Sequence, residues 1–279
     1  MANTCVIGQH RLQQPLPTGA PFLLIAGPCV LETEELSRRI AATVGEVCAE
    51  LGVPYVYKAS FDKANRSSIR SPRGPGLERG LDALAAVREE FKLPITTDVH
   101  EASQAEPVAA IVDLLQIPAF LCRQTDLLIA AGEAAQRHGR AVSIKKGQFV
   151  SPREMGGPIK KLSEAGCDNL MLIERGTFFG YHRLVNDFTG LGDLMELGPP
   201  VCFDVTHSTQ LPGAAETSGG RPERTPLLAR AAIAAGVSAI FMECHPEPAQ
   251  ALSDASNVLP LEQVPDLLRQ LVRLRRALA

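Results

Sequence analysis

Tryptophan is absent from this chain, and aromatic residues make up only 5% of it, so it offers little of the stacking platform that single-stranded nucleic acids need. No apolar run approaches the ~20 residues of a membrane span. The N-terminus, MANTCVIGQHRLQQPLPTG, lacks the charged-then-apolar pattern of a secretion signal. The seven cysteines (5, 29, 48, 122, 167, 202 and 244) are odd in number and without CxxC or zinc-finger spacing. They read as reduced thiols rather than a disulfide framework. A GxSxG elbow, an HExxH helix, a P-loop and a Rossmann fingerprint are all missing, so those hydrolase, protease, NTPase and dinucleotide readings have no support. A formal charge of −3 argues against general nucleic-acid binding. The expectation is a soluble, cytoplasmic protein with no nucleic-acid or membrane partner.

What the sequence does have is a rhythm. The 279 residues, 45% hydrophobic and 21% charged, begin with a short polar extension over 1–20, compatible with a hairpin over one end of the fold. Apolar runs then recur at 22–29, 53–60, 94–100, 114–119, 141–146, 169–175, 201–207 and 239–245. Helical patterns fit between and after them, near 33–51, 77–92, 102–111, 124–138, 152–166, 183–197, 225–236 and 260–278. Near-continuous apolar strands, each followed by a helix, indicate a parallel sheet buried on both faces. Eight such units match the size of a (β/α)8 barrel. The alternative is a doubly wound open sheet, disfavoured by the regular eightfold repeat. No linker divides the chain, so the fold class is α/β, a single-domain (β/α)8 TIM barrel over 1–279 with a short N-terminal extension.

The strand ends carry the chemistry. Each apolar run finishes on polar or reactive groups: Cys29; Lys58 and Ser60; Asp98 and His100; Gln116; Lys145 and Lys146; Glu174 and Arg175; Asp204 and His207; Glu243 and His245. In a barrel these carboxyl ends converge on one face, where the βα loops build a site. One polar strand end marks where a strand leaves the core; eight of eight are hard to ascribe to chance. The stretch YKASFDKANRSSIRSPRGPG, residues 57–76, sits on that face and sets Lys58, Lys63, Arg66, Arg70 and Arg73 against a single acid, Asp62. By itself it is also compatible with a solvated basic loop or an RNA-binding patch. Lys58, Lys63, Arg66, Lys145 and Arg175 would meet across the barrel mouth, an arrangement that suits a multiply charged anion. Any one of them alone is equally a rim ion pair.

Cys29, His207, Glu243 and Asp254 end strands one, seven and eight or follow the last of these, and neighbouring strands could bring them to one point. A thiolate, an imidazole and two carboxylates suit Zn2+, Fe2+ or Mn2+. A thiol in FLLIAGPC is also a small buried hydrophobe, and His100 and His245 are competing ligands. A Schiff base on Lys58 or Lys145, as in an ordinary aldolase, is a further reading.

IAGPCVLE, YKASFDKANRSS, TDVHE, QIPAFLCRQTDLL, KKGQFVSP, ERGTFFGY, FDVTHS and MECHPEP occur in that order between about 25 and 257. Together they resemble the 3-deoxy-D-manno-octulosonate 8-phosphate synthases. KANRSS, QTDLL and FDVTHS separate this family from its sisters acting on erythrose 4-phosphate or an N-acetyl sugar, which stay as the alternative. The resemblance implies a homotetramer that condenses phosphoenolpyruvate with D-arabinose 5-phosphate and water and releases phosphate, toward lipopolysaccharide. It implies phosphoenolpyruvate contacts from Lys58, Lys63, Lys145 and Arg175, with Gln116 and Ala119 nearby, and arabinose 5-phosphate contacts from Asn65, Arg66 and Ser67. Asp98 matches a family acid near the reacting centre, and Lys58, Asp98 and His207 are the candidate catalytic groups. The family divides by metal. Cys29, where the metal-free class has Asn, together with LSDASN in place of a Cys-Asp-Gly loop, implies the class whose divalent ion is held by Cys29, His207, Glu243 and Asp254.

Overall fold

The computed structural model describes residues 3–66, 68–212 and 219–278. Eight parallel strands close into a barrel: β3 (Leu23–Gly27), β4 (Tyr55–Lys58), β5 (Ile95–Asp98), β6 (Leu114–Ile117), β7 (Ala141–Lys145), β8 (Leu170–Glu174), β9 (Val201–Asp204) and β12 (Ala239–His245). Each pairs with the next, and β12 closes the ring by pairing with both β9 and β3. All eight strands are buried along their whole length. That is why they read as continuous apolar runs rather than as alternation.

Helices α1 (Glu34–Leu51), α2 (Leu77–Phe91), α3 (Ala105–Ile111), α4 (Thr125–His138), α5 (Gly156–Glu164), α6 (Phe188–Met195), α7 (Thr225–Ala235) and α8 (Val264–Ala277) cover the outside. The eightfold barrel of the sequence reading is therefore the observed fold. The main departure in the helices is α6. It starts at Phe188 rather than near 183 because Asp187 caps it, its side chain accepting the Thr189 N–H, an anchor that fixes a helix start. Short pairs β10 (Gln210–Leu211) with β11 (Gly219–Gly220), and β13 (Leu259–Pro260) with β12, decorate the barrel mouth.

The core has two parts. One lies between strands and helices. The other fills the barrel interior with Leu23, Ile25, Val56, Leu114, Met171, Ile173 and Phe241, and it continues into Cys5, Ile7 and Leu12. Those last three belong to a hairpin, β1 (Thr4–Ile7) with β2 (His10–Gln13), which plugs the amino-terminal end of the barrel. Burying that end in hydrocarbon leaves the opposite, carboxyl-terminal end as the place for polar side chains. Gly27 matters there: a Cβ at that position would lie 1.9 Å from the Lys58 carbonyl oxygen. Only glycine lets β3 lie this close to the strand end that carries Lys58. The seven cysteines are all free and buried.

Candidate active site

At the carboxyl ends of the strands lies a cavity of about 750 Å³. Its lining includes Lys58, Lys63, Asn65, Arg66, Asp98, Gln116, Ala119, Lys145, Arg175, His207, Glu243 and Asp254. Thus, among the described residues, every substrate, catalytic and metal candidate of the sequence reading except Cys29 and His245 lines one space. Cys29 stands directly behind it, its Sγ 3.2 Å from Asp254 Oδ2. Ser67 lies outside the described residues.

Two opposed sets of groups face the cavity. The cations come from β4, β7, β8 and the loop after β4. Lys58 Nζ donates to Glu243 Oε1 at 2.5 Å and to the Cys29 carbonyl at 3.0 Å. Lys145 Nζ donates to Asp204 Oδ2 at 2.7 Å and rests 3.9 Å from the centre of the Phe241 ring, a cation–π contact at the floor of the site. Arg175 donates through Nη2 to Gln210 at 2.5 Å, while its buried Nη1 has no hydrogen-bond partner. Burial pushes Lys145 and Arg175 below their usual values, against the pull of Asp204 on both. Burial acts the same way on Lys63, but Cys29, Glu243, Asp98 and Asp254 around it prevail and hold it well above its usual value.

Arg66 donates to Ser253 Oγ at 2.7 Å and to the Leu252 carbonyl at 2.9 Å. It thereby ties the loop after β4 to the loop after β12, across the cavity mouth. Asn65 is exposed at the rim.

The second set is built to receive a cation. Ligand atoms of Cys29, Glu243 and Asp254 all lie within 4.8 Å of one another. His207 Nε2 is 3.6 Å from Glu243 Oε2 and 4.0 Å from Asp254 Oδ2. Glu243 Oε2 is buried with no hydrogen bond, an orphaned acceptor that is costly to keep dry unless a cation meets it. Burial would raise the Glu243 carboxyl, but Lys58, His207 and Lys63 hold it well below the usual carboxylate range. Burial, reinforced by Glu243 and Asp254, pushes the Cys29 thiol well above its usual value in the absence of a metal, so a divalent ion binding there would release that proton. The donor set, the spacing and the orphaned oxygen fit one divalent ion of the transition series.

Asp98 ends β5, next to β4 and among the strands that carry the cations. Its Oδ2 pairs with His100 Nε2 at 2.9 Å, while Oδ1 is buried without a partner. Burial would raise Asp98, yet the His100 hydrogen bond and Lys63 hold it well below the usual carboxylate range. Of the two competing histidines, His100 is this Asp98 partner, whereas His245 turns to Glu32, 3.5 Å away, and does not line the cavity.

Two further residues complete the site. Asp204 bridges Lys145 and His207. Gln210 links Arg175 to Asp254, to which it donates at 3.0 Å. Asp204 was visible as a polar strand end, but its two partners are 59 and 3 residues away, and only the folded barrel shows it serving both. Nothing in the sequence marks Gln210.

The DAHP synthetase I family matches residues 14–279 of the chain. The chain is 52% identical over 261 residues to a protein of Desulfotalea psychrophila, an alignment covering 93% of this chain and 92% of that one. It is 52% identical over 271 residues to one of Granulibacter bethesdensis, covering 97% and 93%. With one of Thioalkalivibrio sulfidiphilus it shares 53% over 249 residues, covering 89% and 88%. All three relatives are named 2-dehydro-3-deoxyphosphooctonate aldolase.

Proposed function

The chain belongs to the DAHP synthetase I family, and from that premise we propose that it condenses phosphoenolpyruvate with D-arabinose 5-phosphate and water, giving 3-deoxy-D-manno-octulosonate 8-phosphate and inorganic phosphate. The relatives' shared name points to the same eight-carbon product. The observation that carries the reading is the pairing of two orphans in one cavity: Arg175 Nη1, a donor awaiting an anion, and Glu243 Oε2, an acceptor awaiting a cation.

In this reading Lys58, Lys63, Lys145 and Arg175 hold the carboxylate and phosphate of phosphoenolpyruvate, with Gln116 and Ala119 along its flank. Asn65 and Arg66, at the mouth, and Ser67 hold the sugar phosphate. C3 of the enol attacks the sugar aldehyde, water oxygen bonds to C2, and the C2–O bond breaks to release phosphate. Holding both partners in attack geometry is worth up to ~7–11 kcal/mol of the barrier. Water gives up both of its protons as the C2 ketone forms. Asp98, which lines the cavity with Oδ1 unpartnered, takes one and passes it to the former aldehyde oxygen, which becomes a hydroxyl, and the other leaves on the phosphate. Lys58 acts as a charged donor. Its Nζ is held at 2.5 Å by Glu243 and at 3.0 Å by the Cys29 carbonyl, contacts that a lysine forming a Schiff base would have to give up.

Cys29, His207, Glu243 and Asp254 would hold the divalent ion, placing the chain in the metal-dependent class. Such an ion supplies a Lewis acid that orients or acidifies water or polarises the aldehyde. The assembly is proposed as a homotetramer and the setting as the cytoplasmic route to lipopolysaccharide.

The test offers phosphoenolpyruvate labelled with ¹⁸O in its C–O–P bridge, with arabinose 5-phosphate or erythrose 4-phosphate as partner. The expected result is labelled phosphate and an eight-carbon product from the five-carbon sugar only. Turnover with erythrose 4-phosphate instead would move the assignment to the sister family, and label retained in the organic product would refute C–O cleavage.

A further inference from the structure

The reading above gives Asp204 no part in binding or chemistry, yet both halves of the site rest on it. It ends β9 with no exposure to solvent. Its Oδ2 lies 2.7 Å from Lys145 Nζ and 2.7 Å from His207 Nδ1. Its Oδ1 accepts the backbone N–H of Thr206 at 3.2 Å and of His207 at 2.9 Å. We propose that Asp204 is a positioning residue that sets Lys145 and His207 through one shared oxygen, so that a single carboxylate supports both anion affinity and divalent-metal affinity. This rests on the functional reading of the same cavity.

A carboxylate oxygen only accepts hydrogen bonds. The imidazole nitrogen facing it is therefore the donor, and the lone pair falls on Nε2, the nitrogen turned toward Glu243 and Asp254. An outer carboxylate that fixes the tautomer and aim of a histidine is how such ligands are commonly held. The same oxygen is the counter-ion of Lys145, whose Nζ is 3.4 Å from His207 Nδ1. Two donors this close repel, and the shared acceptor keeps both in place. The two backbone N–H groups on Oδ1 leave the carboxylate little freedom to serve one partner without the other.

Asp204→Asn tests the shared oxygen, because an amide has one acceptor where a carboxylate has two. The Thr206 and His207 backbone donors retain the amide oxygen, turning the NH2 toward Lys145 and His207, which are themselves donors. His207 then accepts at Nδ1, carries its proton on Nε2 and loses the ligating lone pair, while Lys145 loses its counter-ion. Lys145→Met removes the lysine arm and leaves the histidine arm intact.

The experiment titrates chelator-stripped protein by calorimetry with Mn2+ alone and, separately, with phosphoenolpyruvate alone, so that no turnover is involved. Wild type is expected to bind both. Lys145→Met should lose phosphoenolpyruvate affinity and keep metal affinity, whereas Asp204→Asn should lose both, the metal by about 10–100-fold. Loss of only one affinity in Asp204→Asn, or of neither, overturns the inference and leaves the site reading standing. A wild type that binds neither ligand takes both down. Should Asp204→Asn fail to fold, ¹⁵N-histidine spectra of metal-free wild type decide, with the His207 signal assigned by comparison with His207→Gln. A proton on Nδ1 supports the inference, and a proton on Nε2 overturns it.

Discussion

Lys58 on β4 and Glu243 on β12 stand 185 residues apart in sequence and meet at 2.5 Å, wholly enclosed, across the strand that lies between them in the barrel. The contact holds one member of the cation set and one of the donor set in register. Removing one partner of such a buried pair costs about 3–5 kcal/mol, because the other charge is left uncompensated. Lys58→Met should therefore lower the unfolding free energy of metal-free protein, read from urea titration, by that amount, shifting the midpoint down, as well as abolish turnover. An unchanged midpoint would mean that Glu243 finds other compensation.

Acid should weaken the fold through the same cluster. Asp98, Asp204, Glu243 and Asp254 are all held below their usual values against the effect of burial, chiefly by the His100 hydrogen bond for Asp98, by His207 for Asp204 and Asp254, and by Lys58 for Glu243. The unfolded chain thus takes up protons at a higher pH than the folded one. Their contribution is fully present above the unfolded carboxylate range and is lost as pH falls below about 4. Urea midpoints measured from pH 7 down to about pH 3 should stay level and then drop, and Asp98→Asn should make the drop shallower. An equally steep drop in that variant would remove Asp98 from the account.

Much of this was legible in the sequence because buried parallel strands write themselves as apolar runs, and their polar ends stand out against them. Cys29, Lys58, Asp98, Lys145, Arg175, His207 and Glu243 were all visible in that way. The role of Asp204 was not, since an acid at a strand end looks alike whether it meets one partner or two. Gln210 lies in a short strand with no periodicity of its own. The start of α6 was misplaced because Leu184 and Val185 read as helical apolar positions. In the fold, Val185 instead bridges Thr177, and Asp187 provides the cap two residues later.

Asp98→Asn removes the proposed proton acceptor while keeping the shape and the approach of His100. A general base contributes roughly 10²–10⁴-fold, so kcat should fall within that range with little change in the phosphoenolpyruvate KM. A loss confined to KM would make Asp98 a binding group.

Arg66→Ala unties the loop after β4 from Leu252 and Ser253 and takes a cation from the mouth of the cavity. Hydrogen bonds to charged groups are worth about 1.5–3 kcal/mol, so the KM for arabinose 5-phosphate should rise by roughly 10–100-fold. Phosphoenolpyruvate binding, deeper in the barrel, should hold. Equal loss of both substrates would point to collapse of the loop instead.

The most direct measurement follows phosphate release from phosphoenolpyruvate plus arabinose 5-phosphate before chelation, after it, and with Mn2+ or Zn2+ restored. The account predicts release that needs both substrates, vanishes in chelator and returns with the metal. Release indifferent to prolonged chelation would contradict the role given to Cys29, His207, Glu243 and Asp254, and no release with this sugar would contradict the function itself.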